Sequence, residues 1–478
     1  MQYRSEDGAG SSRHAIVIGG SIGGMLAARV LSEHFDRITL IERDHLPEGG
    51  ANRAGVPQAR HLHFFLKRGL SVVEELFPGV KPDLLAAGSH LLDQGKDFRI
   101  LYRSGWSPKV PCNLEICTFT RPLLESTIRR HLLEDSKIQI LDRREVAGLV
   151  MDEGGTRVEG VRVRPRGQED GDVTLRADLV VDVSGRGSKA PEWLEAAGYE
   201  RPEETVVDAF WGYATRIYEP VEGFSAEWKS LFLLNRPPYQ PRAGIIQPIE
   251  GNRWIVTLAG VMRDYPPTDE EGFLRFARSL SSPELFRAIE RARPLSKIWG
   301  YRQTENRLRH YEKLSRLPRG FVTMGDAVCS FNPVYALGMT LTCLAVMELR
   351  DSLREGRGQV ESLKFQKRLA RLAAGSWALT TGEDLRWPAT QGGEITPKVK
   401  FMHWYIDQII RLIPQSDEVF RRFQEVNHML KPPTALFHPA ISLRVLRQAF
   451  GPQRAPARAQ PARQPKQAVT STTVAIRH

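Results

Sequence analysis

The chain has 478 residues, 41% of them hydrophobic and 26% charged, with a formal net charge of +11. That length exceeds one hydrophobic core and calls for two or three packed subregions. No run of about 18 apolar residues occurs, which excludes a membrane-spanning helix, and residues 1–12 lack the apolar centre of a signal peptide.

Residues 15–18, all apolar, predict a buried strand, and 25–31 predict a helix. Between them Gly19, Gly20, Ser21, Gly23 and Gly24 form a turn in which Ser21 replaces the middle glycine of G-x-G-x-x-G. Gly19 permits the tight turn and Gly24 lets helix pack on strand, so the helix N-terminus can offer free N–H groups to a pyrophosphate. A second predicted strand, 38–41, ends at Glu42, followed by Arg43; an acid there accepts hydrogen bonds from a ribose diol. Arg53 opens the next loop, which carries His61 and His63, and Arg121 starts a predicted helix. A guanidinium fork suits phosphate oxygens and keeps its charge.

Further on, strand character marks 98–102, 209–218, 244–249 and 254–261, the last two joined by a Gly-Asn turn as a hairpin. Residues 161–163, 178–182 and 321–326 are expected to return to the scaffold that carries the glycine turn. The strand 321–324 delivers Asp326, and a loop through Pro333, Gly338 and Met339 leads into a helix over 340–353. A helical face of Phe401, Tyr405, Gln408 or Ile409, and Leu412 follows over 399–413. It is expected to pack on the body of the protein, cover the pocket, or touch a membrane.

Cys112, Cys117, Cys329 and Cys343 include no C-x-x-C pair and no histidine at zinc spacing, so no metal site is expected. Reduced thiols point to the cytoplasm; a Cys112–Cys117 bridge is the alternative. After Gly451 the chain holds Arg454, Arg458, Arg463, Lys466 and Arg477 among Pro, Ala and Gln, with no acid. Such a segment cannot bury enough apolar surface to offset its ordering entropy, and it lacks aromatics for nucleic-acid stacking.

Together, the glycine turn with Glu42 and the Gly325-Asp326 strand end resemble the FAD-dependent monooxygenases of the aromatic-hydroxylase type. The segments 53–61, 182–188 and 331–335 look most like the bacterial polyketide olefin epoxidase and squalene epoxidase-like branch. The resemblance implies an α/β fold: a Rossmann-type FAD-binding domain (13–88, 118–200 and 306–380) with an interleaved β-sheet substrate domain (89–117 and 201–305). A C-terminal helical region (381–450) and disordered tails (1–12 and 451–478) complete it. It implies FAD contacts at Gly19, Gly20, Ser21, Gly23, Gly24, Glu42, Arg43, Arg53, Arg121, Asp326, Pro333, Gly338 and Met339. In this family Asp326 would bind the ribityl chain, and the 333–339 loop would face the pyrimidine.

The implied reaction passes one oxygen from a flavin C4a-hydroperoxide to an alkene or electron-rich ring of a bulky apolar natural-product intermediate. Phe210, Trp211, Tyr213, Phe232 and Trp254 are candidate pocket walls; no catalytic residue stands out. Ser184 occupies the place of an Asp that many members link to NAD(P)H, so NAD(P)H would act directly or through a separate flavin reductase. The same frame serves geranylgeranyl-reductase-like enzymes, flavin halogenases and flavin-bearing accessory proteins. The halogenase Trp-x-Trp signature is missing around Trp106.

Overall fold

The computed structural model describes residues 12–451; apart from Ser12 and Gly451, both tails expected to be disordered lie outside the described residues. Its first layer is a five-stranded sheet in the order Phe321–Thr323, Leu179–Asp182, His14–Ile18, Arg37–Ile41, Ile138–Leu141. Every pairing in it is parallel. Parallel sheets are covered on both faces, which is why His14–Ile18 is buried at all five positions. The helices Ile22–Leu31 and Gly338–Glu355 pack against each other beside this sheet.

Val158–Pro165 does not join the parallel sheet but pairs antiparallel with Val173–Arg176 and Arg144–Met151 in a separate three-stranded sheet. Glu159, Arg162 and Arg164 are half-buried or exposed among buried Val158, Gly160, Val161 and Val163, as in a sheet packed on one side, rather than forming the all-buried run a central parallel strand requires.

The second layer is an eight-stranded sheet built mainly from Gly212–Glu219, Ser230–Leu233, Arg242–Ile249 and Arg253–Gly260, with Phe98–Tyr102 and Trp299–Tyr301 at its flanks. The 242–260 hairpin closes at Gly251 (φ 76°) and Asn252 (φ 52°). Two successive left-handed residues match the twist of the flanking strands.

Beyond the long helix Ser362–Asp384 come Pro397–Leu412, Asp417–Asn427 and Pro439–Phe450. Pro397–Leu412 buries Tyr405, Ile406, Gln408, Ile409 and Leu412. Phe401, expected on that face, is 50% exposed; it sits one turn short of the buried contact and stacks on Tyr405 at 6.0 Å. These helices share an apolar cluster with Phe98, Ile100 and Tyr102, and Gln424 Nε2 donates to Tyr102 Oη at 2.9 Å. The C-terminal region is thereby fastened to the second sheet. All four cysteines are free, so Cys112 and Cys117 are not bridged.

Candidate functional site

The turn after His14–Ile18 is shaped by contacts that leave no room for side chains. Gly19 has φ 107°, and a Cβ on Gly24 would stand 1.7 Å from the Gly19 carbonyl oxygen. Helix Ile22–Leu31 therefore starts hard against the strand, with Ser21 in extended conformation at its N-cap. The first N–H groups of such a helix lack intrahelical partners and carry the positive end of its dipole.

Around this turn lies a buried charge cluster. Glu42 accepts from the N–H of Gly20 at 2.8 Å and of Asp44 at 2.9 Å. Arg53 bridges Glu42 at 2.8 Å and Glu125 at 2.5 Å. Arg121 donates to Ser21 Oγ at 2.7 Å and to His63 Nε2 at 3.3 Å. Burial, with Arg121 next in effect, lowers the pKa of His63 to about 3, which keeps its ring neutral and able to accept that bond. Arg121 Nε faces the Glu125 carboxylate at 3.5 Å, an ion pair without hydrogen-bond geometry. Sequence reasoning missed Glu125; its signal was only a helical i,i+4 spacing from Arg121.

At the opposite rim, strand Phe321–Thr323 runs into Asp326, and Pro333–Tyr335 forms a short turn before helix Gly338–Glu355. Burial pushes the Asp326 carboxyl above its ordinary range, against the pull of Arg186 and Arg121. Arg186 is held by the Glu305 carboxylate at 2.7 Å and carbonyl at 2.8 Å. Ser184 Oγ is buried without a partner. The adjacent Asp182 turns inward, accepting from Ser184 N at 2.9 Å and Ser188 Oγ at 2.5 Å.

A single cavity of about 1670 Å³ joins these parts, larger than the roughly 300–1,000 Å³ of an ordinary small-ligand pocket. Gly19, Ser21, Gly23, Glu42, Arg43, Arg53, Arg121, Asp326, Pro333, Gly338 and Met339 all line it. Gly20 and Gly24 do not: both stand behind the wall, where a Cβ would strike Glu42 and Gly19 respectively. The rest of the cavity is walled mainly by aromatic and aliphatic side chains, with Arg103, Gln424, His428 and Lys431 among them. Trp211, Tyr213 and Phe232 line it, together with Met402, Ile406, Phe423, Leu436 and Phe437 from the C-terminal helices.

Two expected wall residues lie elsewhere. Successive strand residues face opposite ways; Thr257 and Ala259 look into the cavity, and Trp254 looks away. Trp254 packs against Phe224 at 4.9 Å and Trp228 at 6.2 Å in a separate core. Phe210 precedes its strand in a left-handed conformation (φ 57°), with the Arg263 guanidinium over its ring at 3.4 Å.

Behind the cavity wall sits a polar knot that sequence reasoning did not find. Asp384, 1% exposed, accepts from Tyr335 Oη at 2.7 Å, Trp211 Nε1 at 3.1 Å and Asn306 Nδ2 at 2.6 Å. Its only sequence signal was a helical face with Trp377, Thr380 and Thr381. His61 also lines the cavity and shares a 2.8 Å hydrogen bond with Thr215; burial lowers its pKa to about 4. Among the described residues no group of three or more His, Cys, Asp or Glu is placed to hold a metal ion.

The donor set fits a dinucleotide with an attached ring system. A helix N-terminus, the guanidinium of Arg121, and Asp326 surround the polar half. A Cβ on Gly19 would strike the Val183 carbonyl and one on Gly23 the Thr342 side chain, so the turn can lie against its neighbours and line the cavity only with glycine at these two positions.

Comparison with known proteins agrees. A family model described as FAD dependent oxidoreductase matches residues 15–200. Protein Rv3254 of Mycobacterium tuberculosis is 37% identical over 349 residues, spanning 71% of this chain and 73% of that protein. The structure of the flavin-dependent brominase Bmp2 superposes with a TM-score of 0.59 at 15% identity, covering 84% of this chain and 93% of that one. PqsL, a probable FAD-dependent monooxygenase from Pseudomonas aeruginosa, does so with 0.57 at 15% identity, covering 88% and 100%. The two structural likenesses establish the fold alone. The chain therefore belongs to the FAD-dependent oxidoreductase family, takes FAD as its cofactor, and has the α/β fold of the aromatic-hydroxylase-type flavin monooxygenases.

Proposed function

We propose that this protein is a flavin monooxygenase that transfers one oxygen atom from O2 to a double bond or electron-rich ring of a bulky apolar small molecule. The observation that carries this reading is the continuity of the cavity, whose dinucleotide cradle opens directly into an apolar chamber of the same 1670 Å³ space. Bound FAD, once reduced, supplies activated oxygen to whatever occupies that chamber.

The chain's own residues divide the remaining work. The N–H groups at Gly23 and the start of helix Ile22–Leu31 hold the pyrophosphate, with Arg121 alongside. Glu42 and Arg43 meet the adenosine end, and Arg53 keeps Glu42 and Glu125 in place. Asp326 accepts from the ribityl hydroxyls. Gly338 and Met339 offer the free N–H groups of a helix N-terminus to an electron-rich ring edge, on the loop begun by Pro333. Trp211, Phe232 and the C-terminal side chains Ile406, Leu436 and Phe437 exclude water, which would otherwise divert the reduced cofactor to a wasteful side reaction.

Electrons come from NAD(P)H, directly or through a separate flavin reductase. Ser184 in place of an acid favours the reductase. A halogenase reading gains nothing from the site: Trp106 lies under Arg99 at 4.8 Å and is absent from the cavity wall.

The test is product mass. FAD-loaded protein with NAD(P)H, and with NAD(P)H plus a flavin reductase, is given a panel of polyenes and phenols under air. The reading requires a product heavier by one oxygen atom. A product heavier by two hydrogens would replace it with an alkene reductase.

A further inference from the structure

The chamber wall carries a polar side chain whose second nitrogen the fold leaves unused. His428 follows helix Asp417–Asn427 and packs its ring against Phe64 at 5.5 Å. Its Nδ1 accepts from the Lys67 N–H at 3.2 Å, and its carbonyl accepts from the Arg68 N–H at 3.3 Å. These two bonds satisfy N–H groups at the start of helix Lys67–Leu76 that have no partner within it. Capping accounts for that edge of the ring and for nothing else. A nitrogen that accepts carries no proton, and burial lowers the pKa of His428 to about 3, so the ring is neutral and its one proton sits on Nε2. Nε2 meets no partner among the described residues, yet it is not one of the enclosed side-chain atoms left without one. His428 is 1% exposed and lines the cavity, so the open side of that nitrogen faces the cavity.

We propose that His428 Nε2–H is a specificity-determining donor that binds a neutral oxygen, a carbonyl or hydroxyl, on an otherwise apolar substrate. The inference rests on the reading of the apolar chamber as the substrate site. A ligand made only of carbon and hydrogen would seal this N–H away from water with nothing to receive it, which costs affinity. An oxygen placed against it recovers the bond. The substrate class thus narrows from any bulky alkene or arene to one already oxygenated at a position within reach of His428. No covalent bond breaks and no proton moves; the ring binds and orients.

The neighbouring groups favour a neutral oxygen over a carboxylate. A neutral imidazole N–H brings no charge of its own. Arg103 and Lys431, which also line the cavity, are paired with Asp407 and, at 2.8 Å, with Glu425, and Arg68 is exposed. Nor does an acceptor of the fold compete for Nε2: Gln424, one helical turn earlier, bonds the Tyr102 hydroxyl at 2.9 Å, and the Asp407 and Glu425 carboxylates are held by the cations just named. His61, the other histidine with a bonded Nδ1 on the cavity wall, is not equivalent. Its partner is the Thr215 hydroxyl, which either donates or accepts, so its tautomer is not fixed as that of His428 is by a backbone N–H.

The test compares ligands of one shape that differ in a single group. Equilibrium dialysis measures the binding of benzophenone, benzhydrol, diphenylmethane and diphenylacetate to FAD-loaded wild type, His428→Asn and His428→Gln, while flavin absorbance follows the cofactor. The Asn carbonyl oxygen stands as many bonds from the backbone as Nδ1 and can still accept from Lys67, but nothing replaces Nε2–H. Gln does the reverse, keeping an N–H at the place of Nε2 and giving up the cap. A chamber without a donor favours the hydrocarbon, because an oxygen stripped of water and left unpaired is penalised. Wild type is expected to bind benzophenone or benzhydrol more tightly than diphenylmethane. His428→Asn is expected to lower that preference about tenfold, with diphenylmethane affinity and FAD content unchanged. His428→Gln should keep most of the preference, so the outcome does not hinge on one variant. A wild type that prefers diphenylmethane or diphenylacetate, or a preference that His428→Asn leaves as it was, would overturn the proposal. Loss of FAD from folded His428→Asn would also overturn it, by assigning the donor to the cofactor. A wild type that binds none of the ligands would instead refute the chamber as the substrate site.

Discussion

Replacing Arg53 with Met is the most informative perturbation of the cofactor cradle. The Arg53 side chain is 8% exposed and bridges Glu42 and Glu125, themselves 7% and 9% exposed, at 2.8 and 2.5 Å. Burial works against its charge, yet Glu125 and Glu42 more than compensate, and its pKa is raised. Removing the cation leaves Glu42 with only its backbone N–H donors and Glu125 with Arg121 Nε at 3.5 Å, at a cost of about 3 kcal/mol, the low end for a broken buried pair, or roughly 150-fold in the folding equilibrium. The assay is urea unfolding of apo-protein, which separates stability from cofactor binding. Arg53→Lys keeps the charge but not the fork and should fall between the two. A loss below about 1 kcal/mol would refute the reasoning.

Other consequences can be checked separately. Asp326→Ala should weaken FAD binding by roughly 10- to 150-fold, from losing about 1.5–3 kcal/mol of charge-assisted hydrogen bonding, as read by titration of apo-protein. Trp254→Ala should cost about 3–5 kcal/mol of stability without altering ligand affinity in the cavity, because its ring belongs to the core with Phe224 and Trp228; a change in affinity would return it to the wall. His61, His63 and His428 have pKa values lowered by burial to about 4, 3 and 3. The unfolded chain thus binds more protons below about pH 6.5, and stability should fall from there toward pH 4. Replacing His428 with Gln should flatten that slope in an acid titration followed by circular dichroism.

The cradle was legible in the sequence because its signals are local. A glycine turn between strand and helix, an acid at the next strand end and Asp326 after a short strand each act through neighbours a few residues away. What the sequence did not reveal is assembled across long separations. Asp384 meets Tyr335, Trp211 and Asn306 only because helix Ser362–Asp384 ends behind the cavity wall. Glu125 matters through Arg53, which lies 72 positions away. Trp254 was misjudged for a different reason: alternation told which strand residues share a face, but not which face the cavity would take. Val158–Pro165 reads as a strand in either sheet, and only its antiparallel partners settle the layer. The C-terminal helices were recognisable from periodicity, yet their part in closing the apolar chamber depends on contacts with Phe98–Tyr102 that no local pattern records.

The central claim is oxygen transfer from O2 within the cavity, and isotope labelling addresses it most directly. FAD-loaded protein, a flavin reductase, NAD(P)H and a panel of polyenes and phenols are incubated once with labelled O2 and once with labelled water. The account predicts one labelled oxygen atom per product molecule from O2 and none from water. Label entering the product from water, or an O2-derived label found only in peroxide with every substrate, would contradict it.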